Sequence, residues 1–232
     1  MDNSELMYIE NLSVWYKRDK YVLDNLSLSL NHNEVVGLIG LNGAGKTTFI
    51  KTLSGLMDSY NIGNAVFDGK PLSFRGNDFK RERYTVFAED RSFQYFTFNE
   101  YLSYAAKSYG VKPSGTAELI NGFNFGQYTN ILLKELSTGN LKKAYLITAF
   151  AIKPKLLILD EPVNGLDFHS TEFLYRLIND YRQYGTLLFS SHILESICLT
   201  SDRVLVLEQG KIRNSFSGQE INSENIREAL KE

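Results

Sequence analysis

Cysteine, proline and tryptophan are scarce in this chain. Its 232 residues include one Cys, four Pro and one Trp. Because Cys198 has no partner for an internal disulfide, a reducing compartment is the simplest expectation. The few prolines mark no linker, and the length suits one α/β domain that spans residues 1–232.

Long apolar runs and a strongly basic charge balance are also missing. No run approaches the ~20 apolar residues that a membrane-spanning helix needs. The first ten residues are polar and acidic, unlike a signal peptide. Lys and Arg number 25 against 27 Asp and Glu, a net charge of −2, which argues against a nucleic-acid partner. We expect any membrane-spanning part to belong to another chain.

The N-terminal third shows the period-2 alternation of half-buried antiparallel strands. Three segments carry it: residues 7–16, 22–30 and 64–72. In the second segment, Leu26, Leu28 and Leu30 are expected to face one side, with serines between them. In the third, Asp68-Gly69 is typical of a hairpin turn. The sequence therefore predicts an antiparallel β subdomain.

The rest of the chain alternates continuous apolar runs with helical patterns. The runs predict parallel strands that are buried on both faces, at residues 35–39, 156–160 and 186–191, and a further strand turns at Gly210. Helices are predicted at 99–109, at 140–152, and after residue 46, where Phe49, Leu53, Leu56 and Met57 share one face. A helical subdomain, about 92–152, is thus expected within the parallel-sheet core of an α/β protein.

Residues 40–48, GLNGAGKTT, match the phosphate-binding pattern G-x-x-x-x-G-K-[ST] between a strand and a helix. The glycines let backbone N–H groups approach phosphate oxygens, and the helix adds its positive end. Lys46 supplies a charge for the β- and γ-phosphates, and the Thr47 hydroxyl suits Mg²⁺. The predicted ATP contacts are Asn42, Gly43, Ala44, Gly45, Lys46, Thr47 and Thr48. A glycine-rich turn with a surface lysine is the alternative, and the strand–loop–helix context disfavours it.

Two later apolar runs end in side chains suited to hydrolysis. Asp160 can hold Mg²⁺, and Glu161 can accept a proton from an attacking water. His192 follows the next run and is expected to contact the γ-phosphate. A solvated strand end and a structural histidine are the alternatives. The phosphate loop favours the chemical interpretation, because parallel strands end at one edge of a sheet.

A second candidate anion loop, Leu136-Ser137-Thr138-Gly139-Asn140, precedes a predicted helix. It offers a hydroxyl, a glycine and a terminal amide in an order suited to an anion. A helix cap at Ser137 or Thr138 is the structural alternative and is compatible with anion binding.

These motifs and their order, over nearly the whole chain, resemble the nucleotide-binding subunits of ABC transporters. The resemblance implies an ATPase that uses Mg²⁺ and drives a separate transmembrane permease from the cytoplasmic face of the cell membrane. It also implies a head-to-tail homodimer, in which each ATP lies between the phosphate loop of one subunit and the LSGGQ-type loop of the other. LSTGN departs from LSGGQ at Thr138 and Asn140, yet it keeps Ser137 and Gly139 and is expected to work.

The resemblance extends to further positions. Tyr16 matches the aromatic residue that stacks on adenine, with Trp15 as its rival. Residues 164–167, NGLD, match the loop that crosses the dimer interface. Glu89 stands where the family usually has a glutamine, from which it could reach Mg²⁺ or the water, and Gln94 is a competing placement for that glutamine.

Residues 92–98, SFQYFTF, are dense in aromatic side chains. In the family this region receives a short helix of the membrane subunit, so docking and internal packing both stay open. LSTGN, Glu89 and the short helical segment favour a small bacterial exporter of the ABC-2 group. A soluble ABC ATPase of DNA repair or translation is the alternative, although coiled-coil or basic extensions are not seen. A regulatory module without turnover is disfavoured by Lys46, Asp160, Glu161 and His192 together.

Overall fold

The computed structural model describes residues 4–17 and 20–231. Residues 1–3 of the polar N-terminal segment and the last residue of the predicted domain lie outside this range. The strands are β1 Glu5–Lys17, β2 Lys20–Asn31, β3 Val35–Ile39, β4 Tyr60–Asn61, β5 Asn64–Phe67, β6 Lys70–Pro71, β7 Arg83–Val86, β8 Leu156–Asp160, β9 Thr186–Ser190, β10 Arg203–Glu208 and β11 Lys211–Ser217. The helices are α1 Lys46–Leu53, α2 Asn77–Glu82, α3 Phe98–Tyr109, α4 Thr116–Gly122, α5 Thr138–Ile152, α6 Phe168–Asp180, α7 Leu194–Thr200 and α8 Ser223–Ala229.

The first sheet is antiparallel, as the alternation predicts. Its order is β2-β1-β5-β6, and β4 pairs with β1. Leu26, Leu28 and Leu30 of β2 are all buried, so the predicted apolar face is confirmed. Asp68 and Gly69 both have positive φ, at 49° and 72°, and they join β5 to β6 by a two-residue turn.

The second sheet has the order β11-β10-β3-β9-β8-β7. Its neighbours from β10 to β7 are parallel, and β11 is an antiparallel edge strand. Leu38 of β3 pairs with Ser190 of β9, which pairs with Asp160 of β8. The carboxyl ends of these three strands are therefore side by side, and the segments that follow them meet at one edge.

Helix α1 joins the two sheets into one core. Phe49, Ile50 and Leu53 pack with buried residues of both sheets. The predicted continuation of this helix through Leu56 is wrong, because the helix ends at Leu53 and Gly55 takes a φ of 73°. Leu56 is consequently exposed in the loop that follows.

The helical segment covers the other face of the parallel sheet. Helix α5 is buried continuously from Lys142 to Ile152 and packs against α3 and α4. Thr97 and Glu100 form a reciprocal capping box at the start of α3. The insertion of a helical subdomain into a parallel-sheet core is thus confirmed.

No helix within residues 4–17 and 20–231 combines the length and apolarity needed to cross a membrane.

Candidate functional site

The phosphate loop leaves β3 and enters α1 by a backbone that demands glycine. Gly43 and Gly45 have φ of 84° and 111°. A Cβ on Gly40 would lie 2.2 Å from the carbonyl oxygen of Leu207. Helix α1 has no side-chain cap, so its first N–H groups stay available to an anion. Lys46 Nζ donates to Gly40 O at 2.7 Å, which curls the ammonium back over the loop.

A cavity of about 390 Å³ lies over this loop. Its lining residues are Val22, Leu41, Asn42, Gly43, Ala44, Gly45, Lys46, Thr47, Thr48, Glu161, Asn164 and His192. The structure therefore brings the predicted phosphate contacts together with Glu161 and His192. Asn164 joins them from the NGLD loop, and its part in this cavity was not foreseen.

Tyr16 lies beside the loop, and Trp15 does not. The Tyr16 side chain is 59% exposed, and its hydroxyl is 3.3 Å from Thr48 Oγ1. Trp15 is half-buried and packs edge-on against Tyr21, with ring centroids 5.6 Å apart. Tyr16 therefore has an exposed ring beside the phosphate loop, and this favours Tyr16 over Trp15 for adenine stacking.

Ser190 hydrogen-bonds to both Asp160 and Glu161. Ser190 Oγ donates to Asp160 Oδ1 at 2.7 Å and accepts from Glu161 N at 3.0 Å. Ser190 and Asp160 are both buried. Burial raises the pKa of Asp160, and the nearby Glu161 charge adds to this, while hydrogen bonds from Ser190 and Thr47 oppose it. Ser190 was missed from the sequence, although a polar residue that ends a buried apolar run is a signal for such a role.

Glu161 makes its closest side-chain contact with His192. Glu161 Oε2 lies 2.8 Å from His192 Nδ1 and accepts from His192 N at 3.3 Å. The carboxylate is 13% exposed and the imidazole 54%. Both groups face the cavity of the phosphate loop, so a γ-phosphate and its attacking water would meet a carboxylate and an imidazole on one side.

The residues at this edge fit a hard cation. The Thr47 side chain is exposed, and it lies close enough to the buried Asp160 carboxylate to lower its pKa. A hydroxyl and a carboxylate are therefore neighbours, and both are oxygen ligands that Mg²⁺ prefers. In the described part of the chain, no set of three His, Cys, Asp or Glu side chains is arranged as a complete metal site. Such a site suits a Mg²⁺ ion that is held mainly by phosphate and water. The ion would neutralise part of the phosphate charge.

Glu89 does not line the phosphate cavity. It lines a separate groove of about 430 Å³ between the loop after β7 and helix α5. The groove is lined by Phe87, Ala88, Glu89, Asp90, Arg91, Gln94, Leu133, Lys134, Leu136, Thr138, Leu141, Lys142 and Tyr145. Glu89 and Gln94, the competing placements for the family's glutamine, thus share one groove.

The aromatic segment beside this groove has two parts. Phe98 is fully buried against Phe125, so for this ring the docking alternative is wrong. Phe93 and Phe96 contact each other and Tyr104, and Tyr95 is 77% exposed. The centroid of the exposed Tyr95 ring lies 4.8 Å from Nζ of Lys134, which lines the groove, whereas the buried Phe98 ring packs inside the helical segment.

The LSTGN loop begins helix α5. Ser137 is the N-cap, and its Oγ accepts from Asn140 N at 3.3 Å, which leaves its O–H free to donate. A Cβ on Gly139 would lie 2.5 Å from Gly165 O, so only glycine fits there. Thr138 is exposed, so its side chain displaces no buried neighbour. Ser137 and Gly139 do not line their own chain's phosphate cavity.

Two lysines of α5 contact the segment that follows β8, and both were missed. Lys142 Nζ donates to Glu161 O at 3.0 Å, and Lys143 Nζ lies 2.6 Å from Asp167 Oδ2. Lys143 and the Ser170 N–H hold the pKa of Asp167 well below its usual range. Burial lowers the pKa of Lys142, against the charges of Asp160, Glu161 and Glu89. Adjacent lysines in an otherwise apolar helix were the available signal.

The fold and this edge define a P-loop nucleotide-binding protein. Residues 23–164 match the family model described as ABC transporter. The chain is 34% identical over 216 residues to AlbC of Bacillus subtilis (strain 168), named as an ABC transporter ATP-binding protein, with 90% of each chain covered. It is 32% identical over 233 residues to the spermidine/putrescine import ATP-binding protein PotA of Borreliella afzelii (strain PKo), covering 97% of this chain and 66% of PotA.

A solved structure agrees with this relationship. The structure of an ATP-binding subunit of an ABC transporter superposes with a TM-score of 0.83 at 27% identity, over 97% of this chain and 93% of that one. The chain therefore belongs to the ABC transporter family. It is an ATP-binding subunit, an ATPase whose hydrolysis is coupled to transport, and the predicted family and fold class are confirmed.

Proposed function

We propose that this subunit works as a head-to-tail homodimer that closes on two Mg-ATP molecules and hydrolyses them with Glu161 as the general base. One observation carries the proposal. Glu161 and His192 line the phosphate cavity of their own chain, whereas the exposed Ser137 does not. Ser137 would then contact the ATP of the other subunit. The whole of residues 1–232 would act as one domain, with the helical subdomain at about 92–152.

Each proposed residue role follows from the part of Mg-ATP or the attacking water that the residue would contact. The phosphate loop and Lys46 would hold the β- and γ-phosphates, and Thr47 and Asp160 would hold Mg²⁺. Glu161 would take the proton of the attacking water, and His192 would hold that carboxylate and approach the γ-phosphate. Tyr16 would stack on the base, and residues 164–167 would cross the dimer interface.

A mixed dimer tests the two-chain site. One subunit carries Lys46→Ala and the other Ser137→Arg. One ATP site then combines both defects, and the second has an intact Lys46 and an intact Ser137. Single-site hydrolysis or nucleotide trapping is expected in the mixture and in neither parent. No gain over the parents, with heterodimers shown by mass spectrometry, would overturn the homodimeric arrangement.

The groove of about 430 Å³ is the proposed docking site for a short helix of the permease. Its lining joins apolar Leu133 and Leu136 with charged Glu89, Arg91 and Lys134, which suits an amphipathic helix. Docking there would place the subunit on the cytoplasmic face of the cell membrane. If the protein acted instead in DNA repair or translation, no permease helix would fill this groove.

Filling the groove tests docking. The bulky substitution Gln94→Trp should remove the membrane protein that co-purifies with the wild-type subunit, while binding of a fluorescent ATP analogue stays unchanged. Lys112→Trp, on an exposed loop, is the matched control. Equal recovery of the membrane protein by both variants would refute docking at this groove.

We further propose export as the direction of transport, because LSTGN and Glu89 resemble small exporter-type subunits. Proteoliposomes that contain the purified complex decide this. ATP added outside energises only complexes whose ATPase faces outward. An exporter then accumulates substrate in the lumen, and an importer, as PotA is named, depletes it.

A further inference from the structure

Glu161 has an unusual backbone conformation for a residue with a side chain. Its φ is 48°, in the left-handed region that disfavours non-glycine residues. Such strain persists where the surroundings determine the conformation. Its N–H donates to Ser190 Oγ, and its carboxylate contacts His192. Its carbonyl oxygen accepts from Lys142 Nζ at 3.0 Å and from Asn164 N at 3.3 Å.

Lys142 is the least expected of these partners. It belongs to α5, the helix that begins at LSTGN, and it is only 5% exposed. A buried ammonium is costly unless it is paired, so this side chain needs a compensating environment. Its hydrogen bond to Glu161 O, 3.0 Å long, links the helix of the second anion loop directly to the base of the same chain.

The charges around Lys142 form a second argument. Asp160, Glu161 and Glu89 all act on its ammonium. Glu89 and Lys142 line the same groove, outside the phosphate cavity. Glu89 places a negative charge in this groove. The positive charge of Lys142 offsets the negative charge of Glu89 and so weakens its repulsion of the ATP phosphates.

We propose that Lys142 is a positioning residue for hydrolysis: it fixes the backbone of Glu161 through its carbonyl oxygen and offsets the charge of Glu89. This inference rests on the proposed role of Glu161 as the base. Lys142 is not among the residues that line the phosphate cavity, so its loss should affect turnover more than ATP binding.

The test compares Lys142→Met and Lys142→Gln with Lys107→Met, a control on the exposed side of α3. Lys142→Met removes both the donor and the charge, and should lower kcat about 10- to 100-fold, the scale of a small displacement of a catalytic group. The Kd of a fluorescent ATP analogue should stay within about twofold, since that cavity is untouched. Lys142→Gln keeps a donor, so its loss of kcat should be smaller.

A double-mutant cycle isolates the charge term. Glu89→Gln added to Lys142→Gln should recover part of the lost kcat, since both opposing charges are then gone. Strictly additive effects would overturn the charge compensation. A normal kcat in Lys142→Met, or a parallel loss of ATP affinity and kcat, would overturn the positioning role.

Two further measurements keep the outcomes separate. Thermal unfolding of every variant identifies a folding defect, and Lys142→Gln, close in size and polar, serves if Lys142→Met does not fold. Glu161→Gln is run in parallel. If it turns over normally, the proposed base is wrong; if it is slow while Lys142→Met is normal, only the present inference fails.

Discussion

His192 Nδ1 lies 2.8 Å from Glu161 Oε2, so the proposed base already has an imidazole partner beside the phosphate loop. The pair joins the ends of two neighbouring strands, β8 and β9, and makes the orientation of the carboxylate depend on the histidine ring. Hydrolysis should therefore be sensitive to both residues.

Glu161→Gln should lower kcat by about 10²- to 10⁴-fold, because the proton acceptor is lost, while Mg-ATP still binds. The variant should accumulate an ATP-bound dimer, which size-exclusion chromatography with ATP would detect. Glu195→Gln, on the exposed face of α7, provides the control and should behave as wild type. Near-normal turnover of Glu161→Gln would remove this residue from the base role.

Tyr16→Ala should weaken ATP binding about tenfold or more, the scale of one lost base–aromatic stack. Trp15→Ala should lower thermal stability instead, since that ring packs on Tyr21. Titration of both variants with a fluorescent ATP analogue gives the ranking. If Trp15→Ala had the larger effect on affinity, the stacking role would pass to Trp15.

Gly139→Ala should reduce hydrolysis by about 10- to 100-fold, because the new Cβ displaces the backbone of Gly165 and the NGLD loop. Thr138→Gly, one residue earlier and exposed, should change the rate little. Steady-state ATPase assays of the two variants measure the contrast. Equal rates would show that the Gly139–Gly165 contact carries no functional constraint.

Asp167→Asn should destabilise the fold by about 1 kcal/mol at neutral pH, because the buried Lys143 loses its carboxylate partner. The expected loss is this small because the Asp167 side chain is more than half exposed, so water screens the ion pair. Asparagine still caps α6, so the loss reports the ion pair. Asp180→Asn, at the exposed end of that helix, is the control.

The pH dependence of that difference follows from the sign of the shift. The folded-state pKa of Asp167 is depressed, so the stabilisation is complete above the unfolded pKa of about 3.9 and is lost as pH falls toward the folded value. Thermal unfolding of wild type and Asp167→Asn should therefore differ at pH 7 and converge below about pH 4. A constant difference over this range would assign the effect to packing.

Patterns local in the sequence predicted most of the fold. The continuous runs that became β3, β8 and β9, and the phosphate loop between β3 and α1, carry their own signals of burial and backbone freedom. The end of α1 was misplaced, because Leu56 keeps the helical period after the backbone has left the helix at Gly55.

Long-range contacts account for what the sequence did not reveal. Ser190 bridges Asp160 and Glu161 from a neighbouring strand, and Lys142 reaches Glu161 from a helix. Helical periodicity shows on which side of α5 Lys142 lies, but the residues that this side contacts depend on how α5 packs in the fold. Glu89 lies in the groove for the same reason, since the loop after β7 has no pattern that fixes its direction.

The contact between Gly139 and Gly165 has a consequence for how ATP binds. Asn164, next to Gly165, lines the phosphate cavity of its own chain, and Gly139 belongs to the loop proposed to serve the other subunit's ATP. A shift of one loop must therefore move the other. In the proposed homodimer, occupancy of one nucleotide site would change the affinity of the second, so ATP saturation curves should depart from a hyperbola, and loosening this contact should restore the hyperbolic form.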